Sequence, residues 1–239
     1  MRAIVMAGGK GTRLYPYSAL LPKPLMPLGD MPVMELLLRQ LRRAGVTEAF
    51  VAVNHLRHLI EAFFGDGSRM GLRLNYTLED KPLGTAGAIA SVIDQLGDQF
   101  IMANGDLLTS LDIAGMMRFH AKTGAHATMG VYPREVKIEF GLIEVDEEMR
   151  MRAYREKPSY QHLVSMGIYV LDSAHVRPHI EPGAYLDMPD LLLRMAAAGS
   201  DVRCFRDDCF WLDIGRPDDF ARAQEIYEKD PTVFLGPDA

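Results

Sequence analysis

The residues best suited to chemistry crowd into the first stretch of the chain. Gly8, Gly9 and Gly11 directly follow the apolar run Ala3-Ile4-Val5-Met6-Ala7, with Thr12 and Arg13 next. Glycines so placed let backbone N–H groups approach an anion closely, because no Cβ is in the way. Arg13 adds a permanent cation whose planar fork matches phosphate oxygens. Lys23 supplies a second cation between Pro22 and Pro24, where a stiff backbone aims its side chain. A strand running into such a loop reads as a phosphate cradle, although the glycines alone fit a tight turn that binds nothing equally well.

Two familiar phosphate loops do not fit. A P-loop needs Gly-Lys-Ser/Thr in succession, whereas the order here is Lys10-Gly11-Thr12. A dinucleotide fingerprint needs a third glycine opening a helix. Leu14 holds that place, and Pro16, Pro22, Pro24 and Pro27 forbid a regular helix beyond it. A nicotinamide oxidoreductase fails on those prolines.

Two acidic residues follow apolar runs. Asp106 ends Asn104-Gly105-Asp106 after Phe100–Ala103, and Asp213 lies in Trp211-Leu212-Asp213-Ile214-Gly215-Arg216. On pattern alone each is as readily a turn or capping aspartate as a functional one.

The elements that must position these groups follow from periodicity. A helix is expected from Pro32, with Met34, Leu37, Leu38 and Leu41 on one face and Gly45 ending it. Strands are expected at Ala49–Val53, Leu72–Leu78 and Phe100–Ala103, with helices at His55–Phe64 and Thr85–Leu96 between them. Such alternation predicts an α/β fold with a doubly wound, mostly parallel, Rossmann-like sheet flanked by helices. Ligands of such sheets sit at the carboxyl ends of the strands, where Gly8–Arg13 and Asp106 can share one cleft. Farther on, Ala127–Tyr132, Leu142–Val145, Met151–Arg155 and Val164–Val170 read as short strands with connections too short for crossover helices. They predict a small inserted antiparallel subdomain beside the main sheet. Helices are expected near Tyr185–Ala198 and Pro217–Lys229, and the tail 231–239 is expected to be loosely held.

The composition, 48% hydrophobic and 24% charged over 239 residues, is that of a globular domain with ample core. A net charge of −6 with no long basic run disfavours a nucleic-acid partner. Cys204 and Cys209 make neither a disulfide framework nor a metal spacing, so a reduced, cytoplasmic setting is expected. The N-terminal apolar run is too short for a signal peptide or membrane helix, and no membrane association is expected.

The run Gly8-Gly9-Lys10-Gly11-Thr12-Arg13-Leu14-Tyr15-Pro16, followed by Pro22-Lys23-Pro24-Leu25, resembles the signature of the sugar-1-phosphate nucleotidyltransferases, or nucleotide-sugar pyrophosphorylases. The resemblance covers nearly the whole chain, and its wording is most similar to that of mannose-1-phosphate guanylyltransferases. It implies one catalytic domain over residues 1–230, with a nucleotide-binding half at 1–125 and a sugar-binding half at 126–230. Some family members carry a further C-terminal β-helix or other domain, and none is expected in the chain as given. The implied reaction joins a nucleoside triphosphate to a sugar 1-phosphate and releases pyrophosphate. Its nucleophile is an already ionised phosphate oxygen, so it needs no general base. It needs positioning, cations and a metal.

The same resemblance distributes roles. Arg13 braces the leaving pyrophosphate, and Lys23 the α-phosphate. Asp106 and Asp213 hold Mg²⁺, which takes one or two carboxylates and completes its shell with water and phosphate oxygens. Ala7, Gly8, Gly9, Gly11, Thr12, Asn104 and Gly105 face the nucleotide. Pro82-Leu83-Gly84-Thr85-Ala86-Gly87 resembles the base-side loop, with Leu83 and Gly84 nearest the base. Glu79 stands where thymidylyl relatives place a glutamine. A carboxylate only accepts hydrogen bonds, and guanine offers adjacent N1–H and N2–H donors, so GTP is favoured over UTP and dTTP. Glu156-Lys157-Pro158 and Phe140-Gly141 resemble the sugar-side motifs, with Lys157 pairing the sugar phosphate, Glu156 accepting from sugar hydroxyls and the Gly141 backbone meeting the sugar. Trp211 is read as core. Ser165 replaces the asparagine of a common Asn-x-Gly-x-Tyr motif, which leaves an amino, deoxy or heptose sugar open beside a plain hexose. Homo-oligomers are expected by analogy alone. An inactive homologue that senses a nucleotide sugar is the alternative of a different class. Such homologues tend to lose the arginine or a metal aspartate, and Arg13, Lys23, Asp106 and Asp213 are all present.

Overall fold

Ala3, Ile4 and Val5 are all fully buried, so the strand they form is covered on both faces. That burial marks the centre of a sheet clad by helices. The computed structural model describes residues 1–9, 11, 20–54, 56–79, 81–214 and 217–235. Thr12 and Arg13 lie outside the described residues.

The first half comprises β1 (Arg2–Met6), the hairpin β2 (Pro27–Leu28) and β3 (Met31–Pro32), α1 (Val33–Arg43), β4 (Glu48–Val53), α2 (Arg57–Phe64), β5 (Arg73–Leu78), the short α3 (Gly84–Gly87) and α4 (Ile93–Leu96), β6 (Gln99–Asn104), β7 (Leu107–Thr109) and α5 (Ile113–Thr123). The second half holds β8 (Ala127–Lys137), β9 (Leu142–Val145), β10 (Met151–Arg155), β11 (Ser159–Asp172), α6 (Ser173–Val176), α7 (Met188–Ala197), β12 (Val202–Arg206), β13 (Trp211–Asp213), α8 (Pro217–Lys229) and α9 (Thr232–Leu235).

The central sheet has seven strands in the order β12-β8-β11-β6-β1-β4-β5. All neighbours are parallel except β11, which runs against both β6 and β8. The expected mostly parallel sheet is therefore present. From β1 the chain moves to β4 and β5 on one side and returns to β6 on the other, which opens a crevice at the carboxyl ends of β1 and β6.

Side chains alternate across the sheet. Ala3, Val5, Val51 and Ala103 join Leu37, Leu38 and Met116 on one face. Ile4, Phe50, Phe100 and Met102 join Ile89, Leu191 and Met195 on the other. A third cluster of Met26, Leu28, Leu36, Leu108, Leu212, Tyr227 and Phe234 ties the β2–β3 hairpin, β7, β13 and α8 together. Gly29 makes the hairpin turn at φ +59°, and a Cβ there would lie 2.2 Å from Tyr227 Cε1.

Several expectations are corrected. The helix expected at Thr85–Leu96 is three short turns. Val92, at φ −130° and ψ 3°, breaks it, and the N–H groups of Ala86 and Gly87 bond to Leu186 O instead. Of the four expected inserted strands, β8 and β11 are longer than foreseen and belong to the main sheet. Only β9 and β10 form a separate antiparallel hairpin. Residues 232–235, expected within a loose tail, form a helical turn with Phe234 buried against Phe210 and Tyr227. The helix α5 and the strand β12 were not foreseen.

Candidate active site

Lys23, set between Pro22 at φ −64° and Pro24, begins a 3₁₀ turn, Lys23–Leu25. Its side chain is buried, and a buried ammonium must be paired. Nζ donates to Asp106 Oδ2 through a short hydrogen bond and to Asp213 Oδ1 at 3.2 Å. The aspartates meet because β13 pairs antiparallel with β7, Asp213 standing opposite Leu107. That register sets Asp213 beside Asp106, the residue before β7.

The crevice has two chambers. The first, about 300 Å³, is lined by Ala7, Gly8 and Gly9 after β1, by Glu79, Gly84 and Asp187, and by Lys23, Asn104 and Asp106. The second, about 380 Å³, is lined by Asp213, Ser165, Gly167, Tyr169, Met188 and Trp211, and it shares Lys23, Thr85, Asn104 and Asp106 with the first. The lysine–aspartate triad therefore stands where the chambers meet. Neither is lined by a histidine among the described residues.

Close backbone packing shapes the first chamber. Ala7 N–H bonds to Ala52 O at 2.8 Å, and Gly105 N–H to Met6 O at 2.8 Å. A Cβ on Gly105 would fall 2.9 Å from Met6 O. Gly105 thus joins the ends of β1 and β6 from behind the lining. Gly11 adopts φ +60°.

Glu79 faces the first chamber with Oε1 buried and unpartnered among the described residues. Burial raises its pKa above the usual carboxylate value, opposed by a hydrogen bond from the Leu83 backbone. Leu83 stands behind the lining, its carbonyl accepting Leu186 N–H at 2.9 Å. In the second chamber Ser165 Oγ lies 2.9 Å from Tyr169 OH. A register irregularity between Ser165 and Tyr169 brings Gly167, at φ +79°, against the Asn104 side chain. Trp211, read as core, packs against the central cluster, while Nε1 donates to Met166 O at 3.1 Å and the ring also borders the chamber.

Gly141, Glu156 and Lys157 flank the β9–β10 hairpin, outside the lining of both chambers. Glu156 accepts Tyr154 OH at 2.8 Å, and Gly141 packs on the same hydroxyl. Lys157 is exposed at φ +43°. Sequence reasoning missed Asp187 and Tyr169 as lining residues. Asp187 precedes Met188-Pro189, a helix-start signal whose far partner no local pattern reveals.

The donor set suits a magnesium ion. Two carboxylates converge on one cation, the Lys23 ammonium, which shows that the position accepts positive charge. Among the described residues no group of three or more His, Cys, Asp or Glu could hold a metal. An ion here would take two protein carboxylates and complete its shell from phosphates and water, the habit of Mg²⁺.

Residues 2–230 match the model of the nucleotidyl transferase family, and the chain belongs to that family. It is 34% identical over 227 residues to a mannose-1-phosphate guanylyltransferase of Mycobacterium tuberculosis, covering 92% of this chain and 62% of that one. It is 32% identical to a UTP–glucose-1-phosphate uridylyltransferase of Synechocystis, covering 93% of this chain and 62% of that one. The chain thus spans about 62% of the length of these relatives. Among solved structures, HddC from Yersinia pseudotuberculosis complexed with GMP-PN superposes with a TM-score of 0.71 at 21% identity, covering 95% of this chain and 99% of that one. A UDP-glucose pyrophosphorylase complexed with UDP-glucose superposes with a TM-score of 0.73 at 20% identity, covering 95% and 98%. These likenesses establish the fold. No helix among the described residues is long and apolar enough to cross a membrane.

Proposed function

We propose that the protein transfers a nucleoside monophosphate from a nucleoside triphosphate to a sugar 1-phosphate, releasing pyrophosphate. The observation that carries this reading is the Lys23–Asp106–Asp213 triad at the junction of two chambers. A sugar-phosphate oxygen attacks the α-phosphorus, forming one P–O bond as the bond to the β-phosphate oxygen breaks. The attacking oxygen is ionised at neutral pH, so the reaction needs no general base in either lining. Lys23 supplies charge at the α-phosphate, and Gly8 and Gly9 allow close backbone approach to the triphosphate. Asp106 and Asp213 would hold Mg²⁺, which when bound supplies Lewis-acid charge between the phosphates. Arg13 is assigned to the leaving pyrophosphate by resemblance. On the same ground Lys157 is assigned to the sugar phosphate and Glu156 and Gly141 to the sugar itself, which they reach only if the hairpin approaches the second chamber. We place the reaction in the cytoplasm, where the free thiols Cys204 and Cys209 stay reduced.

We favour GTP. The Glu79 carboxylate oxygen, unpartnered among the described residues, suits a base with adjacent N–H donors, and the Mycobacterium tuberculosis relative is a guanylyltransferase. The Synechocystis relative supports UTP as the second reading. A panel of GTP, UTP, dTTP, CTP and ATP against hexose, amino-sugar and heptose 1-phosphates, scored by pyrophosphate release with Mg²⁺, tests both. Turnover with GTP is expected. Turnover with UTP alone removes the Glu79 argument, and no turnover with any pair removes the transferase reading.

A further inference from the structure

Asp187 is the N-cap residue of α7, yet its side chain makes no capping bond to its own helix. It turns instead toward the base-side loop. Its Oδ1 accepts Thr85 N–H at 3.0 Å and Thr85 Oγ–H at 3.2 Å, across 102 residues of chain. The Thr85 hydroxyl in turn accepts Met188 N–H at 2.8 Å, so the threonine satisfies the helix start that the aspartate leaves open. The exposed Tyr185 donates to Asp187 Oδ2 at 2.6 Å and holds the carboxylate in place. Backbone packing closes the same joint: a Cβ on Gly84 would lie 2.5 Å from Leu186 O, and one on Gly87 2.5 Å from Ala184 O.

The exchange matters because of where its members stand. Asp187 and Gly84 line the first chamber, Met188 and Pro189 line the second, and Thr85 lines both. A helix that needed only a cap would use its own aspartate, since local capping orders fewer groups. Routing the cap through Thr85 ties the loop to α7 at a residue that borders both chambers.

We propose that Thr85 and Asp187 form a positioning pair that holds the base-side loop in its nucleotide-binding shape and couples the two chambers. This rests on the transferase reading. Neither residue is assigned a chemical step, and their effect falls on substrate affinity.

Calorimetry of GTP and UTP binding, each with Mg²⁺, tests the pair on the full chain. The variants are Thr85→Ser, Thr85→Val, Asp187→Ala and the Val/Ala double. Thr85→Val and Asp187→Ala are each expected to weaken the nucleotide that the wild type binds by about tenfold, and the double variant by no more than either single. Thr85→Ser is expected within about threefold of wild type, because it keeps the hydroxyl. In turnover assays KM for both substrates should rise while kcat stays within about threefold. Val or Ala variants that bind as wild type overturn the pair, as do losses that multiply in the double variant or a Ser variant as weak as Val. Tyr185→Phe, at an exposed position, carries the test should the other variants not fold. A loss of about threefold is expected, and unchanged affinity overturns the pair. Wild-type protein that binds neither nucleotide ends the transferase reading, and the pair with it. Variants indistinguishable from an active wild type end the pair alone.

Discussion

Lys23 Nζ lies 3.2 Å from Asp213 Oδ1, although 190 residues of chain separate them. One register pair, Asp213 opposite Leu107, brings the acid within reach, and two prolines aim the lysine. The arrangement makes the cation and both acids interdependent.

Replacing Lys23 with Met is therefore expected to lower kcat by about 10²–10³-fold, the usual cost of removing one preorganised donor from a developing charge. It also leaves two neighbouring carboxylates without their shared cation. Mg²⁺ is expected to raise the thermal midpoint of Lys23→Met more than that of Lys23→Met/Asp106→Asn. Thermal scans with and without Mg²⁺ read this directly, and equal shifts would remove Asp106 as a metal ligand.

Chelation or Asp106→Asn is expected to abolish pyrophosphate release while the fold persists. Circular dichroism beside the assay separates lost chemistry from lost structure. Full activity in Asp106→Asn would take that residue out of the site.

Burial holds the Glu79 carboxyl above its usual pKa in the free protein. On the proposed GTP reading, guanine N–H donors would stabilise the ionised form and lower that pKa in the complex. GTP binding would then release a proton, and affinity is expected to rise with pH from the ordinary carboxylate range up to the raised free value. Glu79→Gln is expected to flatten this dependence and to weaken GTP by about 1–3 kcal/mol. Titration calorimetry at several pH values checks it, and a parallel pH profile in the variant would count against the contact.

His120 is buried, with Nδ1 2.8 Å from Thr128 Oγ1 and Nε2 unpartnered among the described residues. Burial lowers its pKa, with Asp172 opposing and His126 adding to the shift. Below about pH 6.5 the unfolded chain takes up a proton that the folded protein refuses. Stability is then full above that value and falls as pH drops toward the lowered folded pKa, by at most about 1.4 kcal/mol per pH unit from this group. His120→Gln should flatten urea-derived stability between pH 7 and 5 relative to wild type.

Phe234 fills the cluster behind the triad, and its carbonyl accepts Gln40 Nε2 at 2.8 Å. Phe234→Ala is expected to cost about 3–5 kcal/mol. Because Leu212 shares that cluster, looser seating of Asp213 should follow, read as a raised Mg²⁺ requirement.

Much of this was legible in the chain. Buried β1, β4 and β6 are apolar runs, and the glycines after β1 and Asp106 after β6 sit at their carboxyl ends, where a doubly wound sheet places ligands. Lys23 was legible because prolines bracket it. What local patterns hid was distant pairing. β7 and β13 have three residues each, too few to show a period, yet their register joins the acids. α5 carries Gly115 near its start, which weakens the helix signal, while the Asp112 cap restores it through a bond to Gly115 N–H. β12 bears Arg203 and Arg206 at the sheet edge, where strands are charged rather than apolar. Asp187 falls inside the helix expected at Tyr185–Ala198, and its partner is a threonine in the other half that no local pattern reveals.

The lone reversed strand, β11, is hydrogen-bonded to β6 on one side and β8 on the other. It welds the two halves into one ladder, so no seam near residue 125 separates self-sufficient pieces. A fragment cut there would bare the flank of β6, a mostly apolar edge open to strand-to-strand aggregation.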